Sequence, residues 1–304
     1  MVFLKSVDAS DAIKDANLIF KLLDEVVEEV GEDIVVQVVT DNASNYKLAG
    51  KKLMEKRTRL WWTPCASHCI DLMLEKIESL PQHKNALLKA KKRKHAGRDL
   101  LRPAATRFAT AYLTLQSILD MRQPLESMFA SVEWSQSSYS RKDEGKAVKK
   151  IIFDRAFWLS VAYAIKTTKP LVQVLRMTDS EKMPEMGFSY GEMDKAKEEI
   201  AKNLGREKGS YKKLWNIIDE KWEFQMHRHL HAAAYFLNPH FQYDDGFSSH
   251  VEVKSGLYAC LEKLIPNESD REKADLQLDF FRKRDGLFRC SLARSSCKKR
   301  SPRK

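Results

Sequence analysis

The sequence predicts an α/β segment followed by a large all-helical region, and three observations carry that expectation. Over the first 80 residues, apolar runs of strand period alternate with runs of helix period. After Pro103 almost every apolar pattern has helical period. Between the two, "QHKNALLKAKKRKHAGRDLLRPAATR" breaks the alternation with dense positive charge. Hydrophobic content of 43% with 10% aromatics supplies enough apolar surface to offset the entropy of ordering most of the 304 residues.

Each element follows in order. "VFLKSVDA" alternates as a strand does. "SDAIKDANLIFKLLDEVVEEVG" places Ile13, Ala16, Ile19, Leu23, Val27 and Val30 at helical spacing, with Ser10 as N-cap and Gly31 as C-cap. "DIVVQVVT" is a continuous β-branched run, the pattern of a strand covered on both faces. A helix from Asn42 to Lys56, a short strand in "RLWWTP" and a helix in "CASHCIDLMLEKIESL" complete the α/β part. Helices are then expected near Ala105 to Arg122, Leu125 to Ser131, Gly145 to Thr168, Leu171 to Met177, Met193 to Asn203, Tyr211 to Leu230 and Val253 to Leu264. The resulting layout is an α/β region over 1–80, a basic linker over 81–102, a helical region over 103–288 and a basic, disordered tail over 289–304.

With 53 Lys+Arg against 42 Asp+Glu, the formal charge is +11, which favours polyanions, nucleic acid first; many basic proteins nevertheless never touch one. Five unevenly spread cysteines and an opening without a signal peptide point to a reducing compartment, nuclear or cytoplasmic. No apolar run approaches the roughly 18 to 20 residues that span a bilayer, so no membrane partner is expected. No phosphate-binding glycine loop, nucleophile elbow or kinase set is present, and no small-molecule substrate is expected.

Candidate sites come with competing structural roles. Asp41, at the end of an apolar strand that runs into a helix, stands where carboxylates hold ligands or metals in α/β sheets. It, or Asn42, serves equally as a helix N-cap, and Mg²⁺ would need further carboxylates. "PCASHC" offers Cys65, His68 and Cys69, yet structural zinc needs four ligands and no partner pair lies nearby. Cys69 is expected to pack as a small hydrophobe, while His68 could share a crevice with Asp41 if the strand at Trp61 to Thr63 neighbours that at Val35 to Val39. His227 and His231, four apart, have a metal-site spacing without the intervening Glu; core or surface histidines fit as well. Lys89, Lys91, Lys92, Arg93 and Lys94 could contact phosphates or form a solvated loop, and "KKRSPRK" could serve nuclear import.

"VVTDNASNYKLAGKKL", "WWTPCASHCIDLMLEKI" and "RPAATRFATAYLTLQSIL", taken together and in this order, resemble the hAT superfamily of DNA transposases. More narrowly they resemble plant transposase-like proteins with BED zinc fingers and a central domain of unknown function. "FWLSVAYAIKTTKPLVQVLRMTD", "MDKAKEEI" and "HLHAAAYFLNPHFQY" extend the similarity to about Phe288. The resemblance implies a ribonuclease-H-like mixed sheet, lacking its N-terminal strands here, and a large helical insertion. It also implies an Asp, Asp, Glu set holding two divalent ions, Mg²⁺ or Mn²⁺, for strand cleavage and transfer.

On that resemblance Asp41 falls at the second Asp, and Cys65 and His68 match a Cys-x-x-His motif near the active site. Arg107 matches the Arg of an Arg-Trp pair whose second member here is Phe108, a smaller surface for base stacking. The first Asp is expected upstream of "VFLKSVDAS", the Glu in a Ser-Glu-Arg-like motif beyond the insertion, and a BED-type finger before Met1. The expectation is therefore a truncated, catalytically incomplete, transposase-derived DNA-binding protein. Its alternatives are a helical protein-interaction scaffold, or an active metal-dependent transposase or nuclease if the gene product is longer. A homo-oligomer or a partner protein fits either of the first two readings.

Overall fold

Asp15 begins the first helix: its carboxylate accepts from the backbone N–H groups of Asn17 and Leu18, whereas Ser10 donates its own N–H and hydroxyl to Asp8. The computed structural model describes residues 3–92, 109–179, 186–225, 228–244, 247, 250–297 and 299. In chain order the elements begin with α1 (Ala16–Val30), β1 (Gln37–Thr40), α2 (Ser44–Lys56), β2 (Trp61–Pro64), α3 (Ala66–Glu78) and α4 (Pro81–Lys92). They continue with α5 (Thr110–Asp120), α6 (Arg122–Ala130), α7 (Val132–Gln136), α8 (Ser138–Arg141), α9 (Asp143–Ile152), α10 (Arg155–Thr178) and α11 (Met186–Asn203). The last are α12 (Lys208–Gln225), α13 (His229–Phe236), α14 (Pro239–Gln242), α15 (Val251–Leu264), α16 (Glu268–Lys283) and α17 (Ser291–Ser296). The molecule is thus mostly helical with a small parallel sheet, an α/β plus α architecture.

The chain folds as two compact units, each built from non-contiguous segments. The first comprises Met1–Cys69, Glu181–Gly191 and Trp222–Lys304; the second comprises Ile70–Ser180 and Glu192–Lys221.

In the first unit β1 and β2 pair in parallel, with Val38 opposite Trp62, and α2 forms the crossover. Adjacent residues on a strand point to opposite faces, so Trp61 and Trp62 each hold a different layer. Trp62 faces α2, where a Cβ on Gly50 would lie 2.2 Å from its ring; only glycine lets this helix approach so closely. Val38 joins Val27, Leu53 and Leu60 on the α1 and α2 side. Trp61 faces the other way, edge-on to His229 with centroids 6.0 Å apart and with Lys263 Nζ 4.1 Å from its ring, against a core of Leu230, Phe236, Val253 and Leu257 from α13 and α15. The close fit of α15 on α13 requires Gly256, whose added Cβ would meet Ala232 Cβ at 2.7 Å.

Several expectations are corrected here. Residues 3–9 carry no regular structure, because among the described residues no third strand completes their backbone pairing. The run "DIVVQVVT" pairs only over Gln37–Thr40 and is not covered on both faces, since Val36 is 45% and Val39 53% exposed. At the far ends of α1 and α2, buried Asp24 accepts from Lys56 Nζ at 2.5 Å and from Arg57 Nε at 2.9 Å. These two contacts hold the Asp24 carboxyl below its ordinary range, against the opposing pull of its burial.

In the second unit the long α10 runs straight through Pro170, where a helix boundary was expected. Proline has no N–H for the carbonyl four residues back, that of Lys166. The Asn203 side-chain amide, at the end of α11, donates to that carbonyl at 3.1 Å instead. The helix expected over Gly145 to Thr168 is broken at Phe153 and Asp154, where Asp154 caps α10 by accepting from Ala156 N and Trp158 Nε1 donates to the Ile152 carbonyl at 2.6 Å. Likewise the helix expected over Tyr211 to Leu230 is two helices, α12 and α13; α16 falls in the expected helical region at residues where no individual helix was placed, and α17 lies in the tail expected to be disordered.

Candidate functional site at the strand ends

Parallel pairing fixes what lies beside Asp41. The ladder runs on past Thr40 and Pro64, because the Cys65 N–H donates to the Thr40 carbonyl at 2.8 Å. Asp41 and Cys65 are therefore the next residues at the carboxyl ends of neighbouring strands, where open α/β sheets hold ligands. Thr40 Oγ1 steadies this corner, accepting from Trp62 Nε1 at 2.9 Å and donating to the Asp41 carbonyl oxygen at 2.9 Å. Asp41 is exposed, and neither it nor Asn42 caps α2: the N-cap is Ala43, with no side-chain hydrogen bond. Cys65 is half-buried, His68 lies half-buried in the first turn of α3, and Cys69 is fully buried as a small hydrophobe.

The side chains nominated here are one carboxylate and one thiol at the strand ends, and one imidazole in the first turn of α3. Mg²⁺ and Mn²⁺ take oxygen ligands, so these side chains do not fit a pair of such ions. Among the described residues no group of three His, Cys, Asp or Glu side chains is arranged to hold a metal.

The other sequence candidates are scattered. Residues 81–92, expected as the start of a linker, form α4, with His83, Ala86 and Ala90 on its buried side. Lys89 Nζ is engaged by the Asp154 carboxylate at 3.0 Å, a hydrogen bond that lowers the Asp154 pKa, while Lys91 is exposed. Lys92 ends α4; Arg93, Lys94, Arg107 and Phe108 lie outside the described residues. His231 is buried within α13, and His227 also lies outside the described residues, beyond the end of α12.

Two perturbed groups were not singled out from the sequence. Burial pushes Glu78, at the end of α3, up to about 7, reinforced by Asp71 and Glu75 along the same helix and opposed by Lys91. His83, 2% exposed, is pushed down to about 4 by burial; its Nε2 lies 2.8 Å from Thr167 Oγ1, and among the described residues its Nδ1 has no hydrogen-bond partner. The spacing of His83, Ala86 and Ala90 at i, i+3 and i+7 is the signal that could have marked the histidine as buried.

The fold and this corner define a class: an α/β unit that presents polar side chains at the carboxyl ends of two parallel strands joined by a helix. Within it, residues 1–92 match the family model described as a domain of unknown function (DUF659). No curated protein matches the chain. The matched segment covers everything from α1 to α4, the strand-end corner included.

Proposed function

We propose that the chain is a transposase-derived, DNA-binding protein of the hAT type, a ribonuclease-H-like core with a helical insertion, carrying only part of a catalytic set. The observation behind this reading is the juxtaposition of Asp41 and Cys65. The "TDN" and "CASH" motifs, separated by the whole of α2, end side by side on parallel strands, as a shared site requires. The family match over residues 1–92 and the charge of +11 support it. In this reading Asp41 is a vestigial ligand, Cys65 and His68 are remnants of the surrounding motif, and DNA is held through basic surface in the nucleus. Mg²⁺ or Mn²⁺ belongs only to a form that supplies the remaining acids.

The test is the affinity for duplex DNA measured by fluorescence anisotropy over a series of salt concentrations. Log affinity should fall linearly with log salt as counterions are released. No binding, or a flat response, overturns the reading. It would favour a scaffold that binds a partner protein, which the exposed Leu276 and Phe280, one turn apart on α16, and the exposed Leu287 and Leu292 support.

A further inference from the structure

The end of the first unit contains a cavity of about 530 Å³, within the range of about 300 to 1,000 Å³ common for small-ligand sites. Three aromatic rings line it. Tyr243 and Phe281 have centroids 5.3 Å apart, and Phe281 meets Phe288 edge-on at 5.4 Å. Three cations, Arg284, Arg294 and Lys299, share the lining with them, and among the described residues no Asp or Glu does.

One wall is built rather than fortuitous. Arg284 ends α16 in the left-handed conformation, φ 54°, which turns its side chain back over Tyr243. Its guanidinium carbon lies 4.2 Å from the ring centroid, and Nη2 donates to the Tyr243 carbonyl at 2.9 Å. The Tyr243 hydroxyl in turn donates to the Phe281 carbonyl at 2.6 Å. Arg284 and Tyr243 are thus satisfied within the wall. Arg294 and Lys299 are exposed at the cavity, and among the described residues neither is ion-paired to a carboxylate. Uncompensated cations beside aromatic faces suit a ligand that joins an anion to a flat ring.

We propose that this cavity binds a nucleotide, its base against the aromatic wall and its phosphate between Arg294 and Lys299. The same chemistry is offered by a free mononucleotide and by the 5′-phosphorylated end of a single strand. The proposal does not rest on the duplex-binding reading.

Calorimetric titration of the full chain with adenosine 5′-monophosphate, adenosine, inorganic phosphate and a 5′-phosphorylated thymidine octamer tests this. The monophosphate should bind at least tenfold more tightly than adenosine or inorganic phosphate alone. Arg294→Ala with Lys299→Ala should weaken it at least tenfold and leave adenosine unchanged; both residues are exposed, so circular dichroism should be unaltered. Phe288→Ala should weaken the monophosphate and adenosine alike. An octamer tenfold tighter than the monophosphate, and equally sensitive to the double substitution, supports the proposal with a strand end as occupant; equal affinities support it with a free nucleotide. No binding at millimolar monophosphate, insensitivity to the double substitution, or inorganic phosphate binding as well as the nucleotide each overturns it.

Discussion

The two units solve the problem of covering polar backbone in different ways. The first stacks layers: a two-stranded sheet lies between α1 and α2 on one face and α13 and α15 on the other, and adjacent tryptophans bond the layers. The second is helical, and its main helix contains a proline whose orphaned carbonyl is answered by one amide from α11. Where layers face each other, stability depends on shape; where one long helix is irregular, it depends on single polar groups.

Trp62→Ala is the strongest way to break that contrast. It removes a ring that is 7% exposed, together with its bond to Thr40, and should cost about 3–5 kcal/mol. Hydrogen exchange should show amides of α1 and α2 deprotected while those of α10 remain as in the parent. Uniform deprotection would mean the two units unfold as one.

Proton linkage separates the units next. His83 folds neutral with its pKa near 4 rather than 6.5, so the unfolded chain binds that proton first and stability falls as pH drops from 6.5 to 4. Glu78, raised from 4.5 to about 7, has the opposite sign: the folded chain binds first, and stability rises as pH drops from 7 to 4.5. At about 1.4 kcal/mol per pKa unit, each contributes ~3–4 kcal/mol in the second unit, and the two offset one another. Urea midpoints at pH 7, 5.5 and 4.5 should be nearly level in the parent chain. They should rise with acid in His83→Gln and fall in Glu78→Gln.

A smaller effect tests the proline directly. Asn203→Ala should cost about 1–2 kcal/mol by leaving the Lys166 carbonyl unpaired, and much less in a Pro170→Ala background, where residue 170 regains its N–H. Additive costs would refute the link. Smallest of all, Asp41→Ala removes an exposed side chain that caps nothing and should change stability by less than ~0.5 kcal/mol. Duplex affinity should stay level or improve slightly; a large loss with folding intact would give Asp41 a working metal.

Local chemistry was legible where a signal and its cause share a few residues. The apolar period of α1 and α2, the Gly31 C-cap and the neighbouring of the two strands could all be read from the chain. The continuous helix through Pro170 could not, because the repairing amide lies 37 residues from the carbonyl it serves. The β-branched run at 34–40 reported strand propensity, which says nothing of whether its faces are covered. Helix α16 has no fully buried residue and packs only Leu278 and Phe281, half-buried, against the core, a short apolar signal, although its Asn267 cap, first-turn Glu268 and Asp270, and last-turn Arg282 and Lys283 were visible signals. At the site, spacing could nominate Asp41 and Cys65 singly, but only strand register brings them together.

The outward face of Trp61 has a further consequence on the ribosome. Arg59 Nη2 donates to the Leu264 carbonyl at 3.3 Å across 205 positions of chain, and α13 and α15, which cover Trp61, belong to the same late stretch. At about 5–20 residues per second, that cover arrives on the order of 10–40 s after the strand is made. Throughout that interval the nascent sheet lacks its cover on the Trp61 face, and among the described residues no third strand pairs either of its edges. Apolar surface shown that long before its cover is made is the kind that aggregates unless it is shielded until translation delivers the last layer.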